Sequence, residues 1–288
     1  MNAEFPRITV VTPSYNQAEF LEQTILSVLG QQYPNLEYIV MDGGSKDGSV
    51  GIIKKYESQI SFWRSQPDGG QAQAINDGFA QATGDILCWL NSDDMFMPGV
   101  LLKIARYFSN PSEPLIVFGN CIHFHEGNTK LRGSNVVKRS VDLDLSLCDY
   151  IIQPSSFWSK TVWNQIGPLD ASLHFTFDWD WFIKVEKAGI RFQSIADYLS
   201  LYRIHDSHKS GTGGDKRALE LGSIYFKNHN SQTEKAFLKW HRIATKNPLL
   251  QKIIYNFDHK NLHLLSRIIH LSLFRSISFR TYQHLIKM

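Results

Sequence analysis

Ile86-Leu87-Cys88-Trp89-Leu90-Asn91-Ser92-Asp93-Asp94 decides how this chain is read. The mostly apolar run Ile86 to Leu90 reads as a buried strand, and two adjacent carboxylates stand where it ends. In open α/β sheets, ligands bind outside the carboxyl ends of the strands. A hard divalent cation that also grips phosphates takes only one or two protein carboxylates. A metal–diphosphate site therefore has this appearance. Asp93 and Asp94 equally suit a turn and an N-cap before a helix begun at Pro98. The segment alone leaves both readings open.

Outward from this strand the same grammar repeats. Ile8-Thr9-Val10-Val11-Thr12-Pro13 is a β-branched run stopped by proline. From Asn16, residues Phe20, Leu21, Ile25, Val28 and Leu29 recur at the helical period. Leu36 to Met41 predicts a second strand, closing at Asp42-Gly43-Gly44-Ser45, with a helix from about Ser49 to Tyr56. Ile60 to Arg64 predicts a third strand, and Gly70 to Asn76 opens another helix. This βαβαβαβ order predicts a mostly parallel, Rossmann-like α/β sheet flanked by helices. Its strand-end loops collect Ser14, Tyr15, Asp42, Asp47, Asn91 and Asp93, where a nucleotide would sit. Beyond residue 115, Leu115–Gly119 and Ile190–Ala196 are the clearest strands. After the break Gly211-Thr212-Gly213-Gly214 the character is helical. Leu249–Ile277 carries Ile253, Ile254, Phe257, Leu264, Leu265, Ile268, Ile269, Leu271 and Phe274, punctuated by Lys252, Lys260, Arg267 and Arg275.

At 288 residues, 43% hydrophobic and 20% charged, the chain suits one large domain, or one domain with an extension, and argues against a disordered polymer. Cys88, Cys121 and Cys148 have no metal-ligand spacing, and so few thiols fit a reducing compartment. Met1 to Pro6 lacks an apolar signal core, and no run reaches the roughly 18 apolar residues of a membrane span. The expected location is cytoplasmic. The net charge of +3 hides an asymmetry: residues 216–288 hold 13 Lys/Arg against 3 Asp/Glu, or +10, so residues 1–215 carry −7. The expected division is a catalytic domain over 1–215 and a basic helical extension over 216–288. Helices mixing apolar and cationic residues suit the anionic inner face of a membrane. Packing on the catalytic domain, or on a second subunit as in a homodimer, is the equal alternative. The aromatic residues and histidines of this tail have core-facing helical spacing, so nucleic acid is not an expected partner.

Asp42-Gly43-Gly44-Ser45-Lys46-Asp47-Gly48-Ser49 is glycine-rich and acidic. It lacks the spacing and ending of a P-loop, and it falls in the wrong βα turn for a dinucleotide fingerprint. An aspartate at a strand end can accept hydrogen bonds from a base imide or ribose hydroxyls. Read alone, the run is more economically a tight turn with a capping aspartate. Asp178-Trp179-Asp180-Trp181 sets carboxylates among desolvating aromatics, which raise proton affinity as a general base requires; read alone, such aspartates are more often capping or hydrogen-bonded structural residues. Arg203-Ile204-His205-Asp206-Ser207-His208-Lys209-Ser210 can close over a pyrophosphate or offer a metal ligand, or can be a solvated loop. Gln153-Pro154-Ser155-Ser156-Phe157 lines a pocket or simply begins a strand.

In this order the motifs resemble the family 2 glycosyltransferases with the GT-A fold. The matching stretches are Thr12 to Asn16, Asp42 to Ser49, and Gly70-Gln71 with Ala74-Ile75-Asn76. They continue with Leu90 to Asp94 and Pro98-Gly99, Gln153-Pro154-Ser155, Gly167-Pro168-Leu169-Asp170, and Asp178-Trp179-Asp180. The likeness covers about residues 7–210. It implies that Thr12, Ser14 and Tyr15 flank the base and ribose of a nucleotide-diphosphate sugar, with Asp42 on the base, usually uracil in that family. Asp47, Gln71, Asn91, Ser92 and Asp94 would complete the donor site. Asp93 matches the metal-binding aspartate of the DxD motif, for Mn²⁺ or Mg²⁺, with His205 as a further ligand near the diphosphate. Gln153, His205 and Lys209 would face acceptor or phosphate. Asp178 matches the catalytic base, with Asp180 in support.

Two departures matter. Asn91 replaces the first aspartate of DxD, removing one charge, and Phe177 replaces an acidic residue that often precedes the base. The processive Gln-x-x-Arg-Trp signature is absent, which favours single-sugar addition. The implied reaction is an inverting, metal-dependent transfer from a UDP-sugar to a hydroxyl of a saccharide or lipid-linked acceptor in cell-surface polysaccharide synthesis. A non-catalytic nucleotide-sugar-binding subunit of a polysaccharide assembly complex is the alternative on the same fold.

Overall fold

The computed structural model describes residues 5–110, 112–126, 131–137, 144–206, 208–259 and 263–286. It forms two compact units, Met1–Asp142 with Tyr150–His208, and Leu143–Asp149 with Lys209–Met288.

In the first unit, β1 (Ile8–Ser14), α1 (Leu21–Leu29), β2 (Leu36–Asp42), α2 (Ser49–Lys55), β3 (Phe62–Ser65), α3 (Gln71–Gln81) and β4 (Ile86–Trp89) follow the expected alternation. Then come β5 (Met95–Phe96), α4 (Val100–Ala105), β6 (Leu115–His125), β7 (Arg132–Gly133), β8 (Ser156–Ser159), α5 (Lys160–Ile166), α6 (Phe177–Lys187) and β9 (Arg191–Ile204). The sheet order is β3-β2-β1-β4-β8-β6-β9-β5, with β7 on β6. The β3-β2-β1-β4 half and the long β6/β9 pairing are parallel. β8, β5 and β7 pair antiparallel. The sheet is thus mostly parallel.

Alternate residues of the central strands serve opposite faces. Val10, Val40 and Cys88 join a core with Leu21, Ile25, Val28, Ile53 and Ile104 from the overlying helices. On the other face α3 lies so close that a Cβ on Gly78 would come within 2.5 Å of Val11 Cγ1. Beside it Phe79, Trp89 and Trp158 pack edge to face, with Trp181 tilted against Trp158. The register aligns Ser14 with Asp42 and Asp42 with Ser65, a polar row along the carboxyl edge.

Several boundaries differ from the sequence reading. The first helix begins at Leu21 rather than Asn16, because Asn16 takes a left-handed φ of 52°. β5 intervenes after Asp94, and α4 starts behind Gly99 (φ 74°) rather than at Pro98. β9 runs eight residues past Ala196, to Ile204. Polar residues such as Asp197 and Arg203 break its apolar pattern, and pairing with β6 across a bulge near Asn120 holds it extended.

The second unit carries α7 (Gly214–Asn228), α8 (Ser231–Lys246), α9 (Pro248–His259), α10 (His263–Leu273) and α11 (Phe279–Leu285). Asn230 caps α8 by accepting from the Gln232 and Thr233 N–H groups. Tyr225 packs on Phe237, and Phe274 on Trp240 and Tyr282. The sequence boundary after residue 215 falls inside this unit. Gly211 to Gly214 is no linker: Lys209–Thr212 forms a helical turn and Gly214 opens α7. Lys260 and the side chains of Phe257, Leu264 and Leu265 lie outside the described residues. Among the described residues no helix is long and apolar enough to cross a membrane.

Candidate active site

The end of β4 is built as a braced turn. Gln153 donates from Nε2 to the Trp89 carbonyl at 2.8 Å. Gln71 Nε2 donates to Asn91 Oδ1 at 2.8 Å, while Asn91 Nδ2 faces Gln153 Oε1 and Asp94 Oδ2 at 3.4 and 3.5 Å. The Asp94 N–H closes the turn on the Asn91 carbonyl at 3.1 Å, with Ser92 buried inside it. Gln153, expected toward acceptor or phosphate, is therefore spent on the backbone and on Asn91.

Asp93 and Asp94 divide their labour. Asp94 is 1% exposed, accepts from the Arg203 N–H at 3.1 Å, and takes the Thr24 hydroxyl on its carbonyl at 2.8 Å. Burial, and then the Asp93 charge, push its carboxyl well above the usual carboxylate range. Its place is behind the site, fastening β9 to the turn, and not in a donor pocket as the sequence implied. Asp93 stays part-exposed, with Oδ2 3.2 Å from His205 Nε2. The His205 ring rests on Phe20, centroids 4.6 Å apart.

Two cis ligands about 2.1 Å from an octahedral cation lie about 3 Å apart, so the Asp93–His205 spacing lets both reach one divalent cation. Among the described residues no group of three His, Cys, Asp or Glu gathers for a metal. A carboxylate and an imidazole can hold a divalent cation that completes its shell from phosphates and water.

Arg203 is the residue the sequence reading misplaced. Rather than a loop cation facing phosphate, it is 2% exposed and sandwiched between the Phe20 and Phe124 rings. It donates to the Asp93 carbonyl at 3.0 Å and to Gln23 Oε1 at 2.7 Å, and pairs with Glu126. Its position just before His205 was the only sequence signal. Phe20, Gln23 and Glu126 carried none, because distant segments bring them here.

The loops after β1 and β2 are stitched together. Asp42, 2% exposed, accepts on Oδ2 from Gly44 N, Ser45 N and the Ser65 hydroxyl, and on Oδ1 from the Ser45 hydroxyl. Asp47 accepts from Ala18 N and from Ser49. Partial burial works to raise its carboxyl, but these hydrogen bonds outweigh that and hold it below its usual value. The tight-turn reading of this run is what the geometry displays. Thr12 is fully buried with its hydroxyl accepting from Tyr38, so it cannot flank a ligand. Tyr15 is 63% exposed over Gly43. Ser14 is buried, and its hydroxyl has no hydrogen-bond partner.

Helix α6 brings the second carboxylate pair. Phe177 packs on Trp89, ring centroids 6.3 Å apart, which sets the start of α6 beside the end of β4. Asp178 and Asp180 both lie in the first turn, where the helix dipole favours negative charge. Asp178 is part-exposed and its Oδ1 accepts from the Trp179 N–H at 2.8 Å. Asp180 is buried and held by Lys184 at 2.7 Å, a support and not a reacting group. Lys209 belongs to the second unit.

A mostly parallel sheet whose carboxyl edge gathers a polar row, an Asp–His pair and a part-exposed carboxylate is an α/β arrangement that binds its ligand at that edge. Comparison with known proteins narrows the class. Glycosyl transferase family 2 matches residues 9–178. An uncharacterised glycosyltransferase of Mycobacterium tuberculosis is 30% identical over 181 residues, covering 62% of this chain and 68% of that protein. The putative teichuronic acid biosynthesis glycosyltransferase TuaG of Bacillus subtilis is 36% identical over 110 residues, 37% of this chain and 44% of that one. The mannosyltransferase PcManGT of Pyrobaculum calidifontis, solved with GDP-Man and Mn²⁺, has a TM-score of 0.63 at 17% identity, covering 99% of this chain and 86% of that one. S. aureus TarS 1–349 in complex with UDP-GlcNAc has a TM-score of 0.59 at 15% identity, covering 84% and 74%. These structures bear on the fold; the family match bears on kinship. The chain belongs to glycosyltransferase family 2, and it is a glycosyltransferase.

Proposed function

We propose that the enzyme transfers one sugar, with inversion, from a nucleotide-diphosphate donor to a hydroxyl of a saccharide or lipid-linked acceptor in cell-surface polysaccharide synthesis. The observation that carries the reading is the convergence of Asp93, His205 and the start of α6 at one strand end. UDP-sugar is the favoured donor. The Asp42 turn and the exposed Tyr15 ring receive its base. Complexes of two structural neighbours with UDP-GlcNAc and with GDP-Man and Mn²⁺ support a nucleotide-sugar donor in general.

Asp93 and His205 would hold Mn²⁺ or Mg²⁺, which supplies positive charge for the departing diphosphate. Asp178 removes the acceptor hydroxyl proton as that oxygen attacks the anomeric carbon from the face opposite the leaving group. Positive charge grows on the sugar as an oxocarbenium-like centre. Asp180, paired with Lys184, keeps the first turn of α6 in place beneath Asp178. Arg203 holds the Asp93 backbone while β9 presents His205. Working on cytoplasmic nucleotide sugars, the enzyme would act in the cytoplasm.

The test is the stereochemistry of transfer with the full chain, Mn²⁺ and a panel of α-linked nucleotide sugars. Proton NMR of the product reads the anomeric coupling. A β-linked product from an α-donor is expected; retained configuration would overturn the assignment of Asp178 as base.

A further inference from the structure

We propose that the corner between α8 and α9, residues Lys246 to Ile253, docks on an anionic lipid bilayer. Every residue from Thr245 to Ile253 is exposed. Pro248 ends one helix direction and opens the next, so that Leu249, Leu250 and Ile253 stand out at 79%, 40% and 48% exposure. Three large aliphatic side chains in nine consecutive exposed residues are a cost in water unless something covers them. Lys246 and Lys252 flank them and are exposed as well. Leu249 and Ile253 are four apart on α9 and share a face. A short apolar wedge rimmed by lysines is the arrangement that settles at a headgroup boundary.

Charge selects the occupant. The segment 216–288 carries +10 and the remainder −7. A second copy meeting this corner symmetrically would set its Lys246 and Lys252 against the same lysines, like against like. An anionic bilayer neutralises both and accepts the leucines at the same time. The same chemistry recurs on α10, where Ile268 and Leu271 are exposed beside exposed Arg267, with Arg275 just beyond. A nucleic acid would be attracted by the lysines but offers nothing to the aliphatic wedge.

Flotation of the full chain with vesicles tests this, using phosphatidylcholine alone and phosphatidylcholine with phosphatidylglycerol, at low and high salt. Two double variants are compared: Leu249→Ser with Ile253→Ser, and Lys246→Glu with Lys252→Glu. Both change only exposed side chains, and circular dichroism checks their folding. The wild type should float with the phosphatidylglycerol vesicles and less so as salt rises. Each double variant should lose at least about tenfold in partitioning. A wild type that stays unbound, variants that float as well as it does, or binding indifferent to salt would overturn the proposal. So would light scattering showing a dimer that the variants dissociate while vesicles leave the wild type untouched. Sugar transfer to a soluble acceptor should be equal in all three proteins, so this proposal and the catalytic assignment fail separately.

Discussion

Asp93 and His205 lie 112 positions apart in the chain and 3.2 Å apart in space, and neither was free to settle there by itself. Arg203 holds the Asp93 carbonyl, Asp94 holds the Arg203 N–H, and the Phe20 ring lies under both His205 and the Arg203 guanidinium. The part-exposed pair is therefore carried on a buried one. Asp178 stands in contrast, part-exposed on the first turn of a helix whose aromatic side is packed away. Asp178→Asn keeps that packing and removes the base, so turnover should fall by about 10²–10⁴-fold with donor affinity retained. Single-turnover kinetics beside donor titration measures this; parental turnover in the variant would exclude the base role.

Elements are placed by a few close contacts. At the other end of the sheet Glu37, on β2, accepts from the Thr9 hydroxyl on β1 and from Thr83 N and Oγ1, and pairs with Arg7 at 3.1 Å. Burial acts to raise its carboxyl, yet these donors prevail and hold it below the ordinary glutamate value. A depressed folded pKa means stability that is present above the unfolded value of about 4.3 and is lost as pH falls through the folded one. Glu37→Gln should cost about 1–3 kcal/mol at neutral pH. The gap in urea midpoint between variant and wild type should shrink in acid; a gap constant down to acid pH would deny the carboxylate its part. On α3, helix propensity favours Gly78→Ala by about 1 kcal/mol. The added methyl would lie 2.5 Å from Val11 Cγ1, and overpacking of a filled core costs about 1–3 kcal/mol. The clash should win and lower the midpoint, whereas a raised one would mean that the helix lifts off β1 without penalty.

For the whole molecule, ligand linkage joins site to stability. A donor at 100 times its Kd adds about 2.7 kcal/mol to the folded state. A matching nucleotide sugar with Mn²⁺ should therefore raise the melting temperature of the wild type by several degrees. Asp93→Ala should lose most of that rise while its unliganded melting temperature changes little, since Asp93 is part-exposed and Asp94 makes the buried contacts. Equal shifts in both proteins would remove Asp93 from donor binding.

By itself the sequence determined the first four strands, their helices and the family, because period, turn chemistry and motif order are local properties of Ile8 to Asp94. It also marked Asp93, His205 and Asp178 as the residues to watch. Only the tertiary structure separated Asp93 from Asp94, withdrew Thr12 and Gln153 from any ligand, and turned Arg203 from a loop cation into a buried strut. It also extended β9 to Ile204. The reason is physical: adjacent residues of one chemical type differ only in what surrounds them. Burial, pairing across β6 and β9, and the Ser65 hydroxyl on the Asp42 carboxylate arise between segments that no local pattern connects.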